Sequence, residues 1–208
     1  MCSDQYLQSI QPMWASFDAP PYINHVIIAV FHSLILLVGC LGNMFVVCVV
    51  FRRPSNLLLL NLAISDFIMV FKSITIVINS IFTGPVLGVV GCQFYGFATG
   101  ATGLASIMTL AVIAENRSRA ICRPLDLTHQ LTRRQAYSKV GSTWAYGLVL
   151  SCLPLLGMAG VRYSPEGYMT SCSFDYISDS IANKVFILAF FAAAWIMPCL
   201  RICRSYYR

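Results

Sequence analysis

Five apolar stretches divide the chain, and each is long enough to be read as a transmembrane helix. They cover residues 26–51, about 54–82, 91–124, 140–161 and a stretch from near Ile181 through Pro198. About 20 helical residues are needed to cross the ~30 Å hydrocarbon core of a bilayer. Within the third stretch, residues 92–114 form a run of 23 positions without a charge. The pattern predicts an all-α membrane protein with five spanning helices.

Polar and small residues within these stretches predict a packed bundle rather than isolated helices. Asn43, Asp66, Lys72 and Pro198 lie inside apolar runs. Such groups are tolerated at membrane depth only where other protein groups satisfy them. The third stretch carries many small residues, which let helix backbones approach closely: Gly96, Ala98, Gly100, Ala101, Gly103, Ala105 and Ser106. We therefore expect the third helix to be central and surrounded by protein.

Composition excludes several classes of protein. The chain is 58% hydrophobic and 11% charged, whereas soluble domains average roughly 25% charged residues. The cysteines show no CxxC spacing and the three histidines are scattered, so no metal site is predicted. No nucleophile–base pair or phosphate loop suggests an enzyme. The net charge of +6 is not read as a nucleic-acid signal, and a transporter or channel would predict internal repeats or charged rings that the sequence lacks.

The basic residues predict the orientation of the chain in the membrane. Eleven follow spans one, three and five, whereas only Arg162 and Lys184 lie on the other side. The eleven are Arg52, Arg53, Arg117, Arg119, Arg123, Arg133, Arg134, Lys139, Arg201, Arg204 and Arg208. Loops rich in Lys and Arg stay in the cytoplasm. The N-terminus is thus expected outside, with residues 1–24 as an extracellular tail and 25–208 as the membrane domain.

Two cysteines are predicted to lie outside the cell and away from the tail. Cys92 begins the third span, and Cys172 belongs to the loop after the fourth span. An oxidising compartment permits them to pair, which would tie this loop across the mouth of the bundle. Two free thiols are the alternative.

The chain resembles the rhodopsin-like G-protein-coupled receptors, and within them the opsins. The receptor resemblance is carried, in chain order, by Gly42-Asn43, Asn61 to Asp66, Cys92, Arg117, Trp144, and Pro198 with Tyr206. The opsin resemblance rests on the loop, where Arg162-Tyr163-x-Pro165-Glu166-Gly167 precedes Thr170-Ser171-Cys172-Ser173-Phe174-Asp175-Tyr176. The amino-acid sequence of this loop, together with Asn79-Ser80 and Gly84-Pro85, is most similar to arthropod short-wavelength pigments.

This resemblance implies a fold and a function. The fold would be the first five helices of a seven-helix receptor, multi-pass in the plasma membrane and surrounded by the lipid bilayer. The function would be light sensing: retinal bound to a lysine of helix 7, and activation of a heterotrimeric G protein. Residues 1–208 end before helix 7, so a partial sequence is the simplest interpretation. A receptor for a diffusible ligand without covalent retinal, or a non-functional truncated product, remains the alternative.

Glu166 and Tyr95 are assigned to the retinal pocket by the resemblance. A carboxylate near the retinal Schiff base favours its protonated form, and invertebrate-type opsins use the glutamate that matches Glu166 as this counterion. Tyr95 stands where vertebrate visual pigments place a glutamate; it can hydrogen-bond but supplies no carboxylate. The alternatives are a solvated loop acid for Glu166 and an aromatic packing residue for Tyr95.

Lys72 is the third pocket candidate. A lysine inside an apolar run suggests a function by default, and Lys72 matches a lysine of arthropod ultraviolet pigments. A cation near the Schiff base disfavours its protonation, and the unprotonated form absorbs in the ultraviolet. The alternative is a lysine whose ammonium group reaches for the outer surface.

The resemblance also assigns residues to activation and to G-protein coupling. Asn43 and Asp66 are expected to share a polar network between spans, and Arg117 and Tyr206 to face the G protein. The family's acidic residue before the arginine is replaced by Asn116. Glu115 lies one residue further back, about 100° round the helix, so a weaker restraint on Arg117 is expected.

Two departures from the family concern the inner side of the membrane. The inner loop at residues 51–55 is very short, and Arg201 and Arg204 follow Pro198 where the family is usually apolar. Both departures make the inner end of the bundle unusual.

Overall fold

The computed structural model describes residues 4–50, 56–122 and 131–207, which fold as a helical bundle with one small hairpin. The helices are α1 (Asp4–Ser9), α2 (Pro12–Ala15), α3 (Tyr22–Val50), α4 (Leu57–Phe71), α5 (Ser73–Ile81), α6 (Gly88–Cys122), α7 (Arg133–Leu155), α8 (Ile181–Phe191) and α9 (Met197–Tyr206). The strands are β1 (Tyr163–Pro165) and β2 (Cys172–Phe174). The predicted all-α membrane bundle is confirmed. The 51–55 loop and the basic residues Arg52, Arg53, Arg123 and Arg208 lie outside the described residues.

Four stretches of helix in the described residues are long and apolar enough to cross a membrane. They are Tyr22–Val49, Leu57–Ile81, Gly88–Cys122 and Ile181–Tyr206. Helix α7 lies where the remaining span was predicted but is not among these four stretches. Its 23 residues are sufficient in length, but Arg133, Arg134 and Lys139 make its beginning polar. Its apolar remainder packs beside α6.

Several helix boundaries differ from the predicted ones. Span two is interrupted at Lys72, which ends α4 and precedes α5. Span four was predicted to reach residue 161, but α7 ends at Leu155. The chain then turns through Gly157, whose φ of +65° suits a residue without a side chain. At its other end α7 begins with a capping box formed by Thr132 and Gln135.

The third span is central, as its small residues predict. More than half of the apolar window of α6 is buried within the protein, compared with 6% for α3. Close packing explains this burial at one contact with α7: a Cβ atom on Gly147 would lie 2.5 Å from the carbonyl oxygen of Ala101. Helices α6 and α7 therefore approach so closely that no larger residue fits between them.

Span five contains a π-helical segment, Ala192–Ile196, between α8 and α9. The backbone N–H of Met197 donates to the carbonyl of Ala192, five residues earlier. Pro198 follows and has no N–H to donate to the next carbonyl, that of Ala193. The Tyr146 hydroxyl of α7 donates to this oxygen instead, at 2.6 Å. A side chain from span four thus satisfies the carbonyl that the proline leaves free.

The N-terminal residues cover one end of the bundle, which the polar composition of this segment did not predict. Tyr6 of α1 is 1% exposed and packs in a cluster with Ile76, Cys92, Tyr95 and Cys172. The Gln11 side chain donates to the carboxylate of Asp175 at 2.6 Å. We name this end of the bundle, marked by Cys92 and Cys172, the disulfide end. The opposite end, marked by Arg117 and Arg201, is the arginine end.

Candidate functional site

A two-stranded hairpin lies at the disulfide end and is tied to the third span. Strands β1 and β2 are antiparallel, with Pro165 opposite Cys172. Cys172 forms a disulfide with Cys92, with the two Cα atoms 5.3 Å apart. The predicted pairing is confirmed, and the alternative of two free thiols is wrong. The bond links residues 80 positions apart, so it fixes the loop after α7 onto the start of α6.

Asn79 and Tyr163 fix the hairpin to the helices beneath it. The buried Asn79 amide donates to the carbonyl of Thr170 at 3.0 Å and accepts from the N–H of Val86 at 3.1 Å. Tyr163 donates its hydroxyl proton to the carbonyl of Ser151 at 2.9 Å, and its ring occupies the space beside Gly96. Burial raises the pKa of Tyr163 to about 12, so its hydroxyl remains a donor at neutral pH.

Glu166 lies in the turn region between the two strands and is half-buried. The Ser171 hydroxyl donates to its carboxylate at 2.5 Å, and the Glu166 backbone N–H donates to the Ser171 carbonyl at 3.1 Å. Its negative charge acts on Lys72, Tyr95 and Tyr176. Burial, and then this charge, raise the pKa of Tyr176. The hydrogen bonds with Ser171 therefore hold Glu166 in place, and its charge interacts with side chains of the bundle, unlike that of a fully solvated loop residue.

Lys72 points into the bundle towards the third span. Its Nζ atom donates to the Thr99 hydroxyl at 2.6 Å and to the Tyr95 hydroxyl at 3.5 Å. The same atom lies 4.6 Å from the centroid of the Tyr95 ring, within the range of a cation–π contact. Thr99 donates its own proton to the Tyr95 carbonyl, so its lone pairs are available to the ammonium group. The ammonium group therefore lies against the third span instead of reaching for the outer surface.

Glu166, Tyr95 and Lys72 are side chains of the kinds that would line part of a retinal site. The resemblance implies that the retinal-binding lysine belongs to helix 7. What the described residues bring together is a carboxylate on the hairpin, a buried phenol on α6 and a cation at the α4–α5 break. Glu166 would supply negative charge beside a bound cationic group, and Lys72 would supply opposing positive charge.

A buried polar network joins spans two, three and four, and Asp66 belongs to it. Ser106 of α6 donates to the Asp66 carboxylate at 2.6 Å and contacts Ser65 at 2.8 Å. Deeper towards the arginine end, the Trp144 indole donates to Asn61, which in turn donates to Thr109. Trp144 was predicted to be a packing residue, but it is also a hydrogen-bond donor.

Asn43 does not share a hydrogen bond with Asp66 in the described part of the chain. Its amide donates instead to the carbonyl of Gly39, one turn back on its own helix, at 2.9 Å. Asp66 therefore bonds between spans two and three, whereas Asn43 bonds within its own helix. That the two residues share one network stays a prediction. An asparagine in an apolar environment can satisfy its donor locally, which sequence alone does not reveal.

At the arginine end, the two residues assigned to G-protein coupling are exposed. Arg117 lies near the end of α6, and Tyr206, which is 77% exposed, ends α9. Their neighbours are paired with one another. Arg201 of α9 lies 2.8 Å from the Glu115 carboxylate, and Lys139 of α7 donates to Asn116 at 3.5 Å.

Sequence reasoning missed three residues that position the predicted ones. Thr99 holds Lys72, Ser171 holds Glu166, and Ser106 holds Asp66. Thr99 and Ser106 are small hydroxyl residues of a membrane helix, and Ser171 is a small hydroxyl residue of the loop, so nothing in their type distinguishes them. A signal was available for Arg201, because a charged residue inside an apolar span suggests a partner.

Comparison with known proteins places this architecture in a family. The model of the family "7 transmembrane receptor (rhodopsin family)" matches residues 42–208. Opsin-2 of Manduca sexta is 36% identical over 197 residues, which are 92% of this chain and 52% of that protein. The ultraviolet-sensitive opsin of Apis mellifera is 34% identical over 198 residues, 93% of this chain and 53% of that protein.

The fold has a close counterpart among solved structures. The crystal structure of squid rhodopsin aligns with a TM-score of 0.87 and 29% identity, covering 95% of this chain and 55% of that one. The chain spans about half the length of the curated relatives it matches. The resemblance to opsins is confirmed by these relatives, and the chain belongs to the rhodopsin family of seven-transmembrane receptors.

Proposed function

We propose that this chain is the first part of a light-sensing opsin that binds retinal and activates a heterotrimeric G protein. One observation carries the proposal: the disulfide end of the bundle holds the half-buried hairpin acid Glu166, bound by Ser171, and the inward-pointing cation Lys72, bound to Thr99 and Tyr95. A carboxylate and an ammonium group at this end of an apolar bundle match the need to control the charge of a bound chromophore.

Within this proposal, Glu166 is the counterion. Retinal, bound through a lysine of helix 7 as a Schiff base, would supply the absorption of light. The Glu166 carboxylate favours a positive charge at the bound nitrogen, and the hydrogen bond from Ser171 keeps it in place. Tyr95 is a hydrogen-bonding neighbour that cannot replace the carboxylate, because a phenol is neutral at neutral pH.

Lys72 would set the range of absorption. A fixed ammonium group inside the bundle disfavours a second positive charge nearby. Its contacts with Thr99 and Tyr95 support an inward position for this charge. The similarity to the ultraviolet-sensitive opsin of Apis mellifera fits an ultraviolet pigment.

The remaining assignments concern location and coupling. Multi-pass insertion in the plasma membrane would place residues 1–24 and the disulfide end outside the cell, within a receptor domain that begins at residue 25. Arg117 and Tyr206 would then face the G protein, as their exposure at the arginine end allows. Asp66 would link spans two and three during activation, with Asn43 nearby in span one.

The proposal is tested by nucleotide exchange on a heterotrimeric G protein. The full-length receptor that contains residues 1–208 is incubated with retinal in the dark and then illuminated. We expect exchange to rise on illumination only where retinal has been added. Light-independent activity that responds to a diffusible compound, with no covalent retinal detectable after reduction and digestion, would contradict the proposal.

A further inference from the structure

An ion pair at the arginine end joins the third span to the fifth. The Nε atom of Arg201 on α9 donates to Oε1 of Glu115 on α6 at 2.8 Å, across 86 positions of sequence. The two side chains are 36% and 20% exposed. Both residues departed from expectation in the sequence: Glu115 stands one place before the family's acidic position, and Arg201 lies in a usually apolar segment.

The partial burial of this pair distinguishes it from a surface ion pair. Asp179 and Lys184 also form a short pair, but their side chains are 91% and 60% exposed. Exposed pairs contribute little, because water and salt screen the charges. The Glu115 carboxylate is shielded from water, so its attraction to Arg201 is screened less. Asp179 and Lys184 therefore provide an internal control.

Glu115 is also the acidic member of a larger group of charges. Lys139 interacts electrostatically with Glu115, Arg119 and Arg201, which brings charges from α6, α7 and α9 together. Removing the carboxylate would leave this group with cations only, and like charges repel. The acid therefore counteracts repulsion between three helices, in addition to binding one arginine.

Helix α9 depends on few other side-chain bonds to the bundle among the described residues. It follows the π segment, where Tyr146 binds the free Ala193 carbonyl, and it packs on α6. Arg201 lies within α9, one turn after Pro198, so its bond to Glu115 can hold α9 against α6.

We propose that the Glu115–Arg201 pair is a conformational restraint that holds α9 against α6 and limits movement of the arginine end. In this chain Asn116 stands where an acidic residue would restrain Arg117 of α6. The acid Glu115 instead restrains Arg201 of α9, and so compensates for the missing acidic neighbour. The proposal goes beyond light sensing, since it requires neither retinal nor a G protein.

A charge-exchange experiment on the full-length receptor in detergent tests the restraint. Glu115→Gln and Arg201→Gln are each expected to lower the Tm by about 2–5 °C. The charge exchange Glu115→Arg with Arg201→Glu is expected to recover most of this loss, since attraction is restored in reverse. Asp179→Asn with Lys184→Gln serves as the control and should leave the Tm unchanged. A charge exchange no more stable than the single variants would overturn the proposal.

A distance measurement covers the case in which one single variant does not fold. Spin labels at Ile121→Cys and Tyr207→Cys, both highly exposed positions, report the separation of α6 and α9 in a receptor whose exposed free cysteines, Cys48, Cys122, Cys199 and Cys203, are replaced by serine. We expect a narrow distance distribution in this background and a broader one when Arg201→Gln is added. An unchanged distribution would overturn the restraint without affecting the proposal of light sensing.

Discussion

Replacing Lys72 with asparagine in the full-length receptor is expected to move the dark absorption band from the ultraviolet into the visible. The ammonium group lies inside the bundle, bound to Thr99 at 2.6 Å, and under the proposal its charge would oppose protonation of a bound chromophore. Its removal leaves the Glu166 carboxylate without an opposing charge. Nearby charges change a pKa by roughly 1–3 units, which is enough to convert a neutral chromophore into a protonated one at neutral pH.

The control for this substitution is Lys184→Asn. Lys184 is exposed on α8 and pairs with Asp179, which precedes that helix. Loss of the Lys184 charge should therefore leave the spectrum unchanged. Absorption spectra of dark, retinal-loaded receptor are recorded for both variants. A Lys72→Asn spectrum identical to that of the unchanged receptor would remove Lys72 from spectral tuning while leaving the Glu166 assignment open to its own test.

Loss of the Cys92–Cys172 disulfide is expected to cause the largest fall in stability of any single change considered. The bond closes a loop of 80 positions, and native disulfides of this kind contribute about 2–5 kcal/mol. Cys172 also lies in the cluster that contains Tyr6, Ile76 and Tyr95. Cys92→Ser should therefore lower the Tm and also loosen the hairpin that carries Glu166.

Comparison of single and double variants separates the bond from the packing of each sulfur. Cys92→Ser combined with Cys172→Ser should be hardly less stable than either single variant, because one bond can be lost only once. Cys48→Ser, at an exposed free cysteine, should leave the Tm unchanged. Additive losses from the two single variants would show that the thiols act separately and that no bond contributes.

Much of the fold follows from the sequence because transmembrane helices follow from apolar length. The central place of α6 was predictable from its small residues, which lie at contacts such as Gly147 on Ala101. The break at Lys72 and the end of α7 at Leu155 were not, since both depend on how neighbouring helices pack. The burial of Tyr6 was also missed, because a single tyrosine in a polar segment gives no sign of the cluster in which it packs.

The candidate site was predictable as a set of residues and less so as a set of contacts. The loop motif led to Glu166, Cys172 and their neighbourhood, because its residues occur together in opsins. It could not show that Thr99 binds Lys72, that Asn43 binds its own helix, or that Glu115 meets Arg201. These contacts join residues on different turns or helices, and only the packed structure brings them together.

The counterion assignment is tested most directly by a pH titration of the dark absorption spectrum. The full-length receptor carries Lys72→Asn, so that a visible band is present, and is compared with and without Glu166→Gln. Asp179→Asn, at an exposed loop acid, is the matched control. We predict that Glu166→Gln lowers the apparent pKa of the visible band by roughly 1–3 units and removes that band at neutral pH, whereas Asp179→Asn leaves it in place. An unchanged titration in the Glu166→Gln variant would contradict the assignment of Glu166 as the counterion.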